Sequence, residues 1–211
     1  MVELIKEILA IKTEDGLRFD SDSVEGENIT EDGDYKGVRI KFYVFLENSR
    51  ERMQLDIGFG DKITAGPIEI EFPTILDFPA LKLKVYSIET AIAEKFEAIV
   101  SLQLQTSRMK DFYDVLFFAE KYKFKKELLF EAFSTTFNRR STDLAMSEKI
   151  FENKFKNEER FQNLWYAFLQ SNKLESDKAF SEVASKIQSF IQPIFDSKTK
   201  NNWNPVKWKW D

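Results

Sequence analysis

The sequence predicts an α+β protein in which a β-rich region, residues 1–85, precedes a helical region, residues 86–211. Two observations predict this class. Apolar and polar residues alternate through three runs before residue 73, a pattern typical of half-buried strands. From Ile88 to about Phe195 the apolar residues instead recur at helical spacing. We therefore expect two domains that meet near residue 85.

The N-terminal region is expected to begin with an amphipathic helix over residues 2–10, followed by an acidic, turn-rich stretch. Short edge strands are predicted around Phe19 and over residues 24–29. Strict alternation then predicts strands at 37–46, 52–59 and 68–72. The polar loop between the first two of these strands predicts a hairpin.

The C-terminal region is predicted to be a succession of amphipathic helices. Their expected positions are about 88–102, from Met109 onward, 125–137, around Phe161 to Phe168, and 180–191. Three tryptophans then follow in a short basic tail, at Trp203, Trp208 and Trp210. We expect these rings to dock on the body of the protein rather than to bind a partner.

Composition excludes several kinds of chemistry. The 211 residues include no cysteine and no histidine, which removes disulfides, thiolate catalysis, Ser-His-Asp triads and histidine-bound zinc. Carboxylate, lysine, arginine, tyrosine and hydroxyl chemistry remains, and aspartates suit a hard cation such as Mg²⁺. The net charge of −5 argues against broad non-specific coating of nucleic acid.

The sequence contains no apolar run near the roughly 18 residues that a membrane-spanning helix needs, and no signal peptide pattern. A protein without membrane segments, located in the cytoplasm, is therefore expected.

Lys95 lies inside an apolar stripe of the first helix of the helical region, together with Ala91, Ala98 and Leu102. The opposite, wet side is expected to carry Glu94, Glu97 and Ser101. A lysine in an apolar stripe is costly to bury unless a carboxylate accompanies it. The alternative is a stem that lies along the apolar surface while its ammonium reaches water.

Asp111 and Asp114 lie three residues apart at the start of the next helix, beside its core stripe. The partial positive charge of a helix N-terminus explains Asp111 well and Asp114 less well. The linker over residues 103–108 is short and polar, so the two helices are expected to be antiparallel neighbours. Lys95 is then expected to face Asp111 or Asp114.

Asp56 is the residue of interest in the predicted sheet, because it points away from the face that carries Leu55 and Ile57. A carboxylate on an open sheet face is either solvated or a ligand. Gly58 and Gly60 beside it leave room for a ligand to approach the backbone.

Three segments, Gln54–Asp61, Tyr86–Lys95 and Arg108–Asp114, resemble in order and spacing the AbiEii-type nucleotidyltransferase toxins. These are bacterial proteins of abortive-infection and toxin–antitoxin systems. The resemblance covers roughly residues 1–145, and its most specific part is the lysine followed by the aspartates.

The resemblance implies a partial polymerase-β-like nucleotidyltransferase fold, with a mixed sheet followed by a helical domain. Such proteins bind a nucleoside triphosphate with Mg²⁺ and transfer its nucleotide to an acceptor, which is RNA such as tRNA for some relatives. By position, Asp56 resembles the sheet-borne, metal-binding carboxylate, and Lys95 and Lys110 resemble nucleotide-binding lysines. Asp111 and Asp114 resemble the aspartates of the last motif, so Asp56, Lys95, Asp111 and Asp114 are the expected catalytic residues.

The sequence departs from the family at the motif that defines it, Gly-Ser or Gly-Gly followed by Asp-x-Asp. Asp20-Ser21-Asp22 lies after the first helix and lacks the glycine-serine lead. Because in-line transfer with two metal ions needs carboxylates that bridge both ions, we expect this chain alone to be catalytically incomplete. A truncated product, a wrongly assigned start and half of a split protein are all consistent with this expectation.

Two further interpretations remain open. A non-catalytic scaffold would pair with an antitoxin, another protein or a second copy, and its Lys95 would form a structural ion pair. A weaker interpretation is RNA binding through Arg139-Arg140 and the basic tail.

Overall fold

A computed structural model describes residues 1–31, 35–59 and 66–211. The chain divides into two compact units, Met1–Lys62 and Ile63–Asp211, which we call the sheet unit and the helical unit. Strands dominate the first and helices the second, so the α+β class is confirmed. The expected boundary near residue 85, which rests on sequence pattern, stays a prediction.

The described residues of the sheet unit form one helix and three antiparallel strands in the order β1-β2-β3. Its elements are α1 (Val2–Leu9), β1 (Leu17–Glu31), β2 (Tyr35–Leu46) and β3 (Ser49–Gly58). The two short edge strands expected around Phe19 and over residues 24–29 form a single strand, whose register shifts between Asp20 and Glu25. Asp32-Gly33, where the sequence predicts a turn within the acidic stretch, lies outside the described residues.

Helix α1 covers one face of this sheet. Ile5 is buried against Ile40 and Phe42 of β2 and Val24 of β1. The approach is close, because a Cβ on Gly26 would lie 2.6 Å from a methyl carbon of Val2. The alternation that predicts β2 is therefore confirmed, with its apolar side chains towards the helix.

The helical unit opens with a two-stranded antiparallel hairpin, β4 (Ile68–Phe72) and β5 (Leu81–Val85). The sequence patterns predict β4 but not β5. All described strand pairs are antiparallel, because hairpin connections allow no other pairing. The mixed sheet that the resemblance implies is therefore not found among the described strands.

Helices fill the rest of this unit and surround one continuous apolar core. They are α2 (Ile88–Leu102), α3 (Met109–Lys121), α4 (Lys126–Arg139), α5 (Ser147–Phe151), α6 (Asn153–Lys156), α7 (Glu159–Ser171) and α8 (Phe180–Ile191). Phenylalanines dominate the core, where Phe112 packs edge-on against Phe180 at 4.9 Å. No helix in the described part of the chain is long and apolar enough to cross a bilayer.

The tail forms a minimal hairpin, β6 (Trp203–Asn204) and β7 (Lys209–Trp210), that closes the core. Trp203 is 1% exposed, and its indole N–H donates to the Ala119 carbonyl at 2.8 Å. The indole N–H of Trp210 donates to the Phe190 carbonyl at 3.0 Å. The expectation that these rings dock on the body of the protein is confirmed for both.

Candidate functional site

Helix α2 holds Lys95 in a largely buried position. The helix begins after Ser87, whose hydroxyl accepts a hydrogen bond from the Thr90 amide at 3.1 Å. Ile92, Phe96 and Ile99 are completely buried, whereas the side chain of Lys95 is 23% exposed. The ammonium therefore lies at the margin of the core, where a partner is needed.

Two aspartates of α3 are those partners. The Lys95 Nζ atom lies 3.2 Å from Asp111 Oδ1 and 2.6 Å from Asp114 Oδ2. Their side chains are only 6% and 18% exposed. One helical turn separates the two carboxylates, so both reach the same ammonium. The expected ion pair across the two helices is confirmed, and it engages both aspartates.

Arg108 and Lys110 extend this arrangement on either side. The Arg108 Nε atom donates to Asp111 Oδ2 at 2.5 Å, and the Lys110 ammonium donates to Asp114 Oδ2 at 2.6 Å. Charges therefore alternate along Arg108, Asp111, Lys95, Asp114 and Lys110, which we call the Lys95 cluster. It carries three cations and two anions, a net charge of +1.

Arg108 is the member of the cluster that sequence reasoning did not select. Its spacing of three residues before Asp111 is the signal that could have identified it, because such pairs meet on a helix. The arginine and lysine at the two ends are 53% and 70% exposed. The cluster thus places its anions inside and its end cations in water, where anionic groups can reach them.

Protonation states within the cluster are held by competing effects. Burial lowers the pKa of Lys95, but hydrogen bonding to Asp114 and the charge of Asp111 outweigh it, so that pKa lies above its usual value. Burial raises the pKa of Asp114, but hydrogen bonds from Lys110 and Lys95 outweigh it, so that pKa lies below its usual value. The Lys95 and Asp114 side chains are therefore charged at neutral pH.

Asp56 belongs to the sheet unit, where it pairs across the strands with Arg39. The Arg39 guanidinium donates to both of its carboxylate oxygens, at 2.8 and 2.9 Å, and Gln54 donates at 3.2 Å. Hydrogen bonding from Arg39 is the main cause that lowers the pKa of Asp56. The carboxylate is 43% exposed and faces its arginine on the open side of the sheet.

These residues do not fit a two-ion magnesium site. The Arg39 guanidinium donates to both oxygens of Asp56, and its positive charge offsets the negative charge that would attract a metal ion. Within residues 1–31, 35–59 and 66–211, no three acidic side chains lie close enough together to hold a metal ion. Gly60 and Asp61 of the resembling segment lie outside the described residues, as does a further Asp-x-Asp, Asp32-Gly33-Asp34.

The Asp20-Ser21-Asp22 sequence lies in β1, where Asp20 Oδ1 accepts a hydrogen bond from the Asp22 amide at 3.2 Å. This contact is local to the irregular part of the strand.

The expectation that Glu97 lies on the solvent side of α2 is wrong. It is 3% exposed and accepts hydrogen bonds from Arg140 at 2.8 Å and from Thr142 at 2.5 Å. The adjacent Arg139 pairs with Glu94 at 3.2 Å. Helical periodicity cannot reveal that α4 covers this side of the helix. Both arginines of the candidate RNA-binding pair thus hold α2 to the end of α4.

Residues 1–186 match a family described as "Nucleotidyl transferase AbiEii toxin, Type IV TA system". Comparison with curated proteins and with solved structures gives no match.

Proposed function

This chain belongs to the family of AbiEii nucleotidyltransferase toxins, and from that premise we propose that the Lys95 cluster binds the phosphate groups of a nucleoside triphosphate. The family's description as a type IV toxin–antitoxin system implies an antitoxin as a partner. The observation that carries the proposal is the alternating row of charges, which holds one cation more than it holds anions.

A triphosphate would accept hydrogen bonds from those N–H groups of the cluster that are not already directed at Asp111 or Asp114. An ammonium has three N–H donors, and two of those of Lys95 are directed at Asp111 and Asp114. We assign the third to a phosphate oxygen. The ammonium of Lys110 and the guanidinium of Arg108 add donors at the exposed ends, where charge-assisted hydrogen bonds to phosphate are strong. The buried aspartates keep these three cations close together despite their mutual repulsion.

We propose that the 211-residue chain by itself binds nucleotide without transferring it. Transfer of a nucleotide to an acceptor such as RNA displaces pyrophosphate from the α-phosphorus, and polymerase-type enzymes hold two metal ions for this step. The described residues supply no group of three acidic side chains, and Asp56 is engaged by Arg39. Transfer to any acceptor therefore requires metal-holding carboxylates beyond those described.

The competing function is a scaffold that pairs with a partner protein and binds no nucleotide. The observation that favours it is that both aspartates already neutralise Lys95 in a partly buried ion pair. Nucleotide binding distinguishes the two functions. The proposed site binds a triphosphate, whereas an ion pair with a purely structural role does not.

Calorimetric titration of the full chain with each of the four ribonucleoside triphosphates, with and without Mg²⁺, tests the proposal. We expect binding that weakens about tenfold or more in Lys95→Ala, since a charge-assisted hydrogen bond is worth about 1.5–3 kcal/mol. Arg108→Ala and Lys110→Ala should each weaken it several-fold. These exposed residues keep the test decisive even if Lys95→Ala unfolds.

Lys121→Ala is the matched control, because this exposed lysine lies at the opposite end of α3. It should leave the affinity unchanged. The proposal is overturned by an absence of binding at millimolar triphosphate, or by binding that survives all three cluster substitutions. A parallel assay with labelled triphosphate and RNA should give no incorporation, and robust incorporation would contradict the proposal that this chain binds nucleotide without transferring it.

A further inference from the structure

The hairpin of β4 and β5 has one wholly apolar face and one wholly charged face. Opposed residues of an antiparallel pair project from the same side of the sheet. The pairs on the apolar face are Ile68 with Val85, Ile70 with Leu83, and Phe72 with Leu81. The pairs on the other face are Glu69 with Lys84 and Glu71 with Lys82. Each charged residue therefore lies opposite a residue of the other sign.

The apolar face is open to solvent. Ile68, Phe72 and Leu81 are 47%, 51% and 62% exposed, and the central pair, Ile70 and Leu83, is 37% and 40% exposed. None of these side chains belongs to the core of the helical unit. A two-stranded hairpin is marginally stable alone and needs a partner surface for its apolar face.

The loop between the strands adds further exposed apolar side chains. Ile75, Leu76 and Phe78 are 102%, 66% and 52% exposed. If each fully exposed residue has an area of roughly 200 Å², the eight exposed residues of the face and the adjoining loop present roughly 900 Å² in total, compared with about 800 Å² per partner in a stable interface. Monomeric proteins rarely leave an apolar patch of this size open.

We propose that this face is the contact through which two copies of the chain form a symmetric dimer. A two-fold interface requires a surface that complements itself. A face made only of Ile, Leu, Val and Phe meets this requirement, because two such faces can pack together without burying a charge. Its charges lie on the reverse side of the hairpin, where opposite signs already face each other across the strands. The dimer does not depend on nucleotide binding.

Sedimentation velocity of the full chain over a range of concentrations tests the dimer. We expect a reversible dimer for the natural sequence and a monomer for Leu83→Glu, because the substitution places a charge at the centre of the apolar face. The matched control is Leu128→Glu on α4, which changes an exposed leucine of similar exposure (44%) in the same unit. It should leave the dimer intact.

Single-site cross-linking provides a second measurement, because the chain contains no cysteine. A bismaleimide of about 10 Å reach, the spacing of packed sheets, should join two copies of Leu83→Cys. It should not join copies of Lys82→Cys, whose thiol lies on the charged face. Tryptophan fluorescence checks folding, since all four tryptophans lie in the helical unit.

Three results would overturn the proposal. They are a natural chain that is monomeric at every concentration, a dimer that persists in Leu83→Glu, and equal cross-linking through both cysteines. The first would assign the face to a different cover, such as an antitoxin or another part of the chain.

Discussion

The sheet unit and the helical unit both carry charged side chains of interest, but they hold them in different environments. Arg39 and Asp56 meet on an open sheet face, where both remain substantially exposed. Lys95, Asp111 and Asp114 meet between two helices, where the carboxylates are nearly buried. The pairs are alike chemically, yet water screens the first and is largely excluded from the second.

The difference follows from how much core each unit builds. Among the described residues of the sheet unit, one helix covers a three-stranded sheet and buries Ile5, Val24, Ile40 and Phe42. The helical unit instead surrounds a core that extends from Ile92 to Trp203. A large core can hold charges at its margin in fixed positions, which a preformed ligand site requires. This contrast is why the Lys95 cluster, rather than Asp56, carries the proposed function.

The largest expected effect is that of Lys95→Met. It removes the cation between two nearly buried carboxylates and should lower the free energy of unfolding by about 2–3 kcal/mol. Urea denaturation followed by tryptophan fluorescence measures it, because this signal comes only from the helical unit. Lys121→Ala is the control. An unchanged midpoint for Lys95→Met would mean that the ion pair contributes little to stability.

Glu97→Gln should have a smaller effect, of about 1 kcal/mol, on the same unfolding signal. Glutamine keeps an acceptor oxygen for Thr142 but loses the charge that faces Arg140. Nucleotide affinity should not change, because Glu97 is not part of the Lys95 cluster. Loss of affinity in this variant would indicate that the site depends on the general integrity of α2 rather than on the cluster.

Acid should weaken the helical unit through Asp114. Its pKa in the folded chain lies below the ordinary value of 3.8, so its contribution is complete above that pH and is lost as pH falls further. The pKa of Lys95 in the folded chain lies above the ordinary value of 10.5. The stability that its ammonium contributes is therefore complete below pH 10.5 and is lost as pH rises through the pKa of the folded chain. Asp114→Asn should therefore lose less stability than the natural chain between pH 7 and pH 3. An equal loss of unfolding free energy in both proteins over this pH range, measured by urea denaturation, would contradict the role given to Asp114.

Asp56→Asn should have the smallest effect. The Arg39–Asp56 pair lies on an exposed sheet face, so the tryptophan signal of the helical unit should keep its urea midpoint. Nucleotide affinity should also stay unchanged if Asp56 holds no metal in this chain. A clear loss of Mg²⁺-dependent affinity would instead support the sheet-borne metal ligand that the family resemblance implies.

Sequence reasoning reached the Lys95 cluster because its signals are local. A lysine in an apolar stripe needs a counter-charge, and two aspartates one turn apart were the nearest candidates. Glu97 was placed wrongly because periodicity within one helix contains no information about a second helix on its far side. Strand β5 was missed although it has the same length as β4 and its apolar residues alternate with lysines just as regularly.

The sequence by itself determined the α+β class, most of the elements, the family and the residues that could pair with Lys95. Local periodicity and spacing encode the class, the elements and the pairing residues, because these depend on contacts within one or two turns or along one strand. The family follows from the resemblance of three segments to known sequences. Only the tertiary structure decided that both aspartates bind Lys95 and that Arg39 pairs with Asp56. Those outcomes depend on which elements pack together, and packing joins residues that are distant in the chain.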